Sequence, residues 1–171
     1  MISAIVAVNE DWGIGFQGKL LERIPQDMNY FKKLTTDNIV IMGRKTWDSL
    51  PVKPLLHRSN VILSKTLERD SWIYDSEAHY IQISPELTEQ DLEVFKNDFT
   101  NVFVIGGESI YKKLLPYCDR VYITKIYKKH ENVDTYFPNL DESDEWIASP
   151  IEEPAVYHDL TYQFWQYDRK S

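Results

Sequence analysis

The chain has 171 residues, 43% hydrophobic and 27% charged, with a formal net charge of -8. That size and mixture suit one globular domain with a core and a small-ligand cleft, and the acidic balance argues against a nucleic-acid binder, which needs a basic surface. A single cysteine, Cys118, rules out an internal disulfide; no apolar run reaches transmembrane length and the first residues lack a signal-peptide layout, so a soluble cytoplasmic protein without a membrane partner is expected.

In chain order, Ile2 to Val8 reads as a buried strand, followed by a loop from Asn9 to about Ile24 that carries Gly13, Gly15 and Gly18. Pro25 is placed to open a helix running to about Leu34. Asn38 to Met42 predicts a strand, Arg44 to Leu50 a short helix, and Pro51 and Pro54 end it. Asn60 to Leu63 and Tyr80 to Ile83 predict strands. Thr88, with Asp91 three residues on, predicts a capped helix through Asn97. Val102 to Ile105, a helix to Leu115, and Val121 to Ile126 make a further strand–helix–strand unit. Tyr157 to Tyr167 alternates, placing Leu160, Tyr162 and Phe164 on one face, as an antiparallel strand does. The expectation is an α/β fold: one domain over residues 1–171, a mainly parallel twisted sheet with helices on both faces, and an antiparallel C-terminal edge strand.

Two segments run from an apolar strand through glycine into a helix: Asn38 to Trp47, with Gly43, and Val102 to Tyr111, with Gly106 and Gly107. Helix N-termini favour anions, and glycine admits close approach to the backbone. Arg44 and Lys45 place cations in a first turn that the helix dipole disfavours, which makes sense if a nucleotide pyrophosphate docks there. In parallel sheets ligands sit outside the carboxyl ends of the strands, where these glycines and the loop after Val8 converge. Asp27 is the second clue. Phe31 and Leu34 follow it by four and seven residues, so an acid shares the apolar face of its helix. The plainer reading is a first-turn acid serving the dipole or capping N–H groups. The functional reading is a carboxylate facing a cleft with a raised pKa and holding an amidine-like ligand group. His57, His79, His130 and His158 show no metal-binding spacing, and no nucleophile elbow or GxxxxGK[ST] loop is present. A bound cofactor is then expected to carry the reaction, with no metal.

With these segments in view, the chain resembles a bacterial-type dihydrofolate reductase nearly end to end. The resemblance rests on Met1 to Ala7, Ile14-Gly15, Ile24-Pro25-Gln26-Asp27 with Phe31-Lys32, and Val40 to Trp47. It continues through Pro54 to Arg58, Val104 to Gly107 with Tyr111, and Asp134 to Pro138. It implies NADPH-dependent reduction of 7,8-dihydrofolate to tetrahydrofolate in one-carbon metabolism, sensitivity to antifolates, and a monomer. Asp27 matches the pterin-binding carboxylate, and Thr124 the threonine that bonds it; protonation at N5, through water, would precede hydride transfer to C6. Ile5, Val6, Ala7, Met28, Phe31 and Leu50 would line the pterin and benzoyl pocket, with Leu55 beyond. Arg58 matches the arginine that takes the α-carboxylate of the glutamate tail, a task suited to a guanidinium.

The same resemblance assigns Arg44, Lys45 and Thr46 to NADPH phosphates, and Ser64 and Lys65 to the 2′-phosphate region. Gly106-Gly107 matches a glycine pair that the family holds in a cis peptide. Ala7, Ile14, Gly15, Gly43, Ile105, Glu108, Ser109, Ile110 and Tyr111 complete the implied cofactor site. The chain departs from the family in the loop over the cleft, where Leu20-Leu21-Glu22 stands in place of Leu-Pro-Trp. Glu22 is therefore a candidate catalytic residue, expected to act on Asp27 as a like charge. His57 and Val133 stand where the family usually has glycine, and Asp134 is expected to bond the Gly15 loop. Two other readings stay open. One is a relative that reduces other heterocycles, such as pyrimidine intermediates of riboflavin synthesis, against which Asp27, Phe31 and Arg58 discriminate. The other is a nucleotide-binding protein without turnover, favoured by Glu22 alone.

Overall fold

An unbroken apolar run suits a strand covered on both faces, and in the computed structural model the N-terminal run forms such a strand, inside the sheet. The structure describes residues 1–67, 81–99 and 101–171. β1 (Ile2–Val8) leads into a loop holding two short strands, β2 (Gly13–Phe16) and β3 (Lys19–Leu20), before α1 (Pro25–Thr35). β4 (Ile39–Gly43), α2 (Arg44–Ser49), β5 (Ser59–Leu63) and β6 (Ile81–Ser84) follow. Next come α3 (Glu89–Asp98), β7 (Val102–Gly106), α4 (Glu108–Leu114) and β8 (Arg120–Ile126). The remaining strands are β9 (Thr135–Tyr136), β10 (Trp146–Pro150), β11 (Ala155–Tyr157) and β12 (Leu160–Arg169). Of the strand expected from Tyr80, the part from Ile81 is described, and Tyr80 lies outside the described residues.

The main sheet runs β10–β12–β8–β1–β7–β4–β5–β6, with β11 also on β12. From β8 to β6 every neighbour is parallel. β12 is antiparallel to β8, in keeping with its alternation, but β10 pairs along its outer side and takes the edge. Only Trp146 of β10 is buried, so that strand carries no period-two pattern to read. A second sheet, β3–β2–β9, ties the loop after β1 to the segment after β8.

Alternation along the strands divides the core by face. Val6, Val104, Val121 and Ile123 meet Leu92 and Phe95 of α3 and Ile110, Tyr111 and Leu114 of α4. Ile5, Val40, Met42, Ile62 and Phe103 meet Trp47 of α2 and Phe31 and Leu34 of α1. The chain thus leaves β1 and β4 toward one face and β7 toward the other, and that divergence opens a crevice at the strands' carboxyl ends. A bulge sharpens it: Ile41 pairs with Val104 but Met42 with Gly106, so Ile105 is extra.

Helix α3 shows how local chemistry sets a boundary. Thr88 Oγ1 accepts from the Asp91 N–H at 3.2 Å, while Asp91 Oδ2 accepts from the Thr88 N–H at 2.8 Å. Far from the crevice, this reciprocal cap acts on stability alone. Thr88→Ala is expected to cost about 1 kcal/mol, read as a lower urea midpoint with an unchanged m-value and unchanged turnover.

Candidate active site

Asp27 lies in the first turn of α1, which starts at Pro25 and has no side-chain cap at Ile24. Its carboxyl is not spent on the helix N–H groups. Instead Thr124 Oγ1 of β8 donates to Asp27 Oδ1 at 2.6 Å. Thr124 is buried and its Cα is in register with Ala7 of β1, so the contact pins α1 over the sheet beside the end of β1. Burial raises the Asp27 carboxyl above the usual carboxylate range, and the Thr124 bond opposes part of that rise. Among the described residues no cation pairs with it. Its field reaches three phenols, Tyr30 on α1, Tyr111 on α4 and Tyr162 on β12. Burial foremost pushes Tyr30 up to about 12, so this ring stays a neutral donor. Tyr30 stacks on Phe164 at 4.2 Å between ring centroids, within a cluster of Ile24, Ile126 and Tyr162 that Ala7 adjoins.

The apolar residues expected beside Asp27 divide between the two faces. Ile5, Phe31, Leu50, Leu55 and Ile105 share the core on the α1 and α2 side. Met28 is exposed near the mouth, with its sulfur 3.7 Å from Arg23 Nη1. Val6 departs from expectation: its side chain belongs to the α3 and α4 core, because neighbouring residues of a strand face opposite ways. Ile14 also packs against that core.

Arg58 is 6% exposed, a depth rare for a guanidinium. Its Nε donates to the Leu56 carbonyl at 2.8 Å and its Nη1 to Thr35 Oγ1 at 3.2 Å. The guanidinium carbon lies 5.9 Å from the Phe31 ring centre, and desolvation lowers its pKa. Among the described residues no carboxylate pairs with it. A buried cation lacking an anion among the described residues packs on Phe31, four residues along α1 from a half-buried acid.

At the other end of the crevice, α2 begins at Gly43 and α4 at Gly107, neither with a side-chain cap. Their first N–H groups thus have no side-chain acceptor. Gly43 is needed for a reason internal to the fold: a Cβ there would meet Ile110 Cγ1 at 2.9 Å. Gly106 has a φ of 129°, the Gly106–Gly107 bond is cis, and a Cβ at Gly106 would lie 3.3 Å from Thr46 Oγ1. Arg44 Nε donates to both Asp48 carboxylate oxygens at 3.1 Å, so its charge has a partner, while Lys45 is exposed. Ser64 Oγ accepts from the Thr66 and Leu67 N–H groups, which leaves its own proton free to donate. Lys65 and Ser109 are exposed. Glu108 and Tyr111 are engaged within the fold: Glu108 accepts from the Tyr136 N–H and from Lys112, and the Tyr111 hydroxyl donates to the Ile5 carbonyl at 2.7 Å. Ile110 fills the space above Gly43. The residues present fit a dinucleotide: two uncapped helix starts, a serine donor and two exposed lysines stand at one sheet edge.

The loop after β1 holds the largest departure from expectation. Glu22, expected to act on Asp27, is itself engaged by two partners. Lys128 Nζ donates to Glu22 Oε1 at 2.9 Å, and His130 Nε2 lies 3.0 Å from the same oxygen. Burial would raise the Glu22 carboxyl, but these bonds outweigh it and hold it below the usual range. Asn9, Lys128 and His130 escaped the sequence reading, although Lys128-Lys129-His130 is a basic run in an acidic chain. As expected, Asp134 bonds the Gly15 loop: its N–H donates to the Gly15 carbonyl at 3.1 Å, and its Oδ2 accepts from the Gln17 N–H at 2.9 Å. Among the described residues no group of three or more acids, histidines or cysteines could hold a metal ion.

The family described as Dihydrofolate reductase matches residues 1–169. The dihydrofolate reductase of Bacillus subtilis (strain 168) is 34% identical over 173 aligned residues, covering 100% of this chain and 96% of that protein. The dihydrofolate reductase of Schistosoma mansoni is 37% identical, covering 82% of this chain and 79% of that protein. A bifunctional dihydrofolate reductase-thymidylate synthase of Daucus carota is 37% identical over 96% of this chain, which spans 33% of that longer protein. With a match that runs along almost its whole length, this chain belongs to the dihydrofolate reductase family.

Proposed function

We propose that the chain is a single reductase domain over residues 1–171 that reduces 7,8-dihydrofolate to tetrahydrofolate with NADPH, as a cytoplasmic monomer open to antifolates. The observation that carries this reading is the Asp27 carboxyl, held by Thr124 on the crevice side of α1 with no cation among the described residues to neutralise it. Such a group suits a flat heterocycle bearing an amidine edge, because the 2-amino group and N3 of a pterin offer two donors to two carboxylate oxygens. Phe31, Leu50 and Leu55 supply the apolar wall for the benzoyl group. Arg58 supplies the cation for the α-carboxylate of the tail, already oriented by Leu56 and Thr35.

The cofactor when bound would supply a hydride for C6. The chain's own part is to position and to protonate. Thr46 and the N–H groups that start α2 and α4 would hold its phosphates, and Ser64 and Lys65 would hold the 2′-phosphate. Asp27, with its proton affinity raised by burial, orders the water that protonates N5 and keeps the ring edge fixed while it does so. Thr124 sets the carboxyl orientation by donating to Oδ1, which can accept a second bond, and it leaves Oδ2 wholly free for ligand.

Loss of NADPH absorbance in the presence of dihydrofolate tests the reading directly, and no turnover by the purified chain would refute it. Asp27→Asn is expected to lower kcat at neutral pH by about 10²-fold or more, the usual scale for an acid–base group. In the wild type kcat should fall as pH rises through the raised Asp27 value, and that limb should be missing from the Asn variant.

The same substitution has a signed effect on stability. A carboxyl whose pKa is raised by folding costs nothing below the unfolded pKa, about 3.9, and destabilises increasingly as pH climbs to the folded value. Asp27→Asn should therefore denature at a higher urea concentration than wild type at pH 7, with the difference vanishing below about pH 4. Arg58→Gln is expected to raise KM for dihydrofolate about tenfold or more through loss of a charge-assisted pair. Its kcat should change far less, because the tail stands away from the reacting ring.

A further inference from the structure

Loop 9–24 joins β1 to α1 and runs straight into the turn that carries Asp27. Its base and outgoing arm are tied to the segment after β8 mainly by backbone. The Glu10 N–H donates to the Lys128 carbonyl at 3.1 Å, and β2 pairs with β9 beside the two Asp134 bonds. The returning arm after β3 has no strand partner. Side chains hold it instead. Glu22 Oε1 takes both the Lys128 ammonium and His130 Nε2.

The chain fixes the direction of each bond. Asn9 Oδ1 accepts from the Asp11 N–H at 3.0 Å and the Gly13 N–H at 2.8 Å. Its amide nitrogen must therefore point toward His130 Nδ1, 3.0 Å away, and that ring nitrogen accepts. The ring proton is left on Nε2, which donates to Glu22. The Glu22 and His130 side chains are 25% and 13% exposed and that of Lys128 is 52% exposed, so water screens the His130 bond less than an ordinary surface pair and leaves the Lys128 pair modest in strength.

We propose that Lys128 and His130, the latter oriented by Asn9, are positioning residues that grip Glu22 and latch the returning arm of loop 9–24, which leads into the Asp27 turn, to the segment after β8. Opening the arm means breaking one ion pair, from Lys128, and one hydrogen bond, from His130. Backbone holds one arm and charge holds the other, so the returning arm can open while β2 and β9 stay paired. The kinetic consequence rests on the reductase reading, but the latch itself does not.

Lys19 and Arg23 flank Glu22, so trypsin cleavage at those two bonds in the ligand-free chain reports the arm's opening. Lys128→Met is expected to speed cleavage there about fivefold, the scale of one partly exposed charge pair. Lys128→Arg should restore the wild-type rate, and the urea midpoints of all three proteins should agree. In turnover, Lys128→Met should change kcat and KM together, as loss of a gating contact does, and Lys128→Arg should recover both. Cleavage at Lys19 and Arg23 that is unchanged in Lys128→Met overturns the latch, as does faster cleavage matched by a fall in global stability. A wild type that does not oxidise NADPH refutes the reductase reading instead, since cleavage needs no substrate.

Discussion

One short contact organises the molecule, the bond from the Thr124 hydroxyl on β8 to the Asp27 carboxyl on α1. Desolvating a carboxylate is costly, and a hydroxyl offsets that cost less than a cation would. Asp27 is therefore left with a raised proton affinity and an unshared oxygen. A lysine or arginine partner would have stabilised the fold more and ended the chemistry. The aromatic cluster of Tyr30, Tyr162 and Phe164 keeps this edge of the crevice dry without adding a positive charge.

Arg58 repeats that logic with the opposite sign. A guanidinium at 6% exposure is braced by a carbonyl and a hydroxyl rather than by an acid. An acid and a base are both kept unpaired on the one face of the sheet that α1 and α2 cover. Each would relieve the other if they met, so the fold must keep them apart. Phe31 packs into the core on that face and lies within cation–π range of Arg58. The ligand that satisfies both charges must be long, planar at one end and anionic at the other.

The sheet was legible because its strands are apolar throughout or alternate, and because Pro25 and Thr88 mark helix starts. β10 was not, since one buried tryptophan makes no pattern, and β2, β3 and β9 are too short to show one. The glycines also answer to packing that no single-residue pattern shows. Gly43 answers to Ile110, and Gly13 to Val133, whose Cγ1 would lie 2.7 Å from a Cβ at that position. Val133, two residues before β9, stands where the family usually has glycine, and its side chain packs against Gly13 of β2. His57, also at a usual glycine, keeps a left-handed φ of 57°.

Glu22 shows why charge is harder to place than hydrophobicity. Its nearness to Asp27 in sequence suggested mutual repulsion, yet its partners lie 106 and 108 residues away. An apolar residue has one destination, the core, and periodicity reports it. A charged residue goes wherever a partner of opposite sign is offered, and the topology decides where that is. Here β8 and the segment that follows it bring Thr124 to Asp27, Lys128 and His130 to Glu22, and Asp134 to Gln17. A single stretch of chain therefore sets both the environment of the buried acid and the hold on the loop above it, so a change in that stretch reaches the chemistry and its cover together.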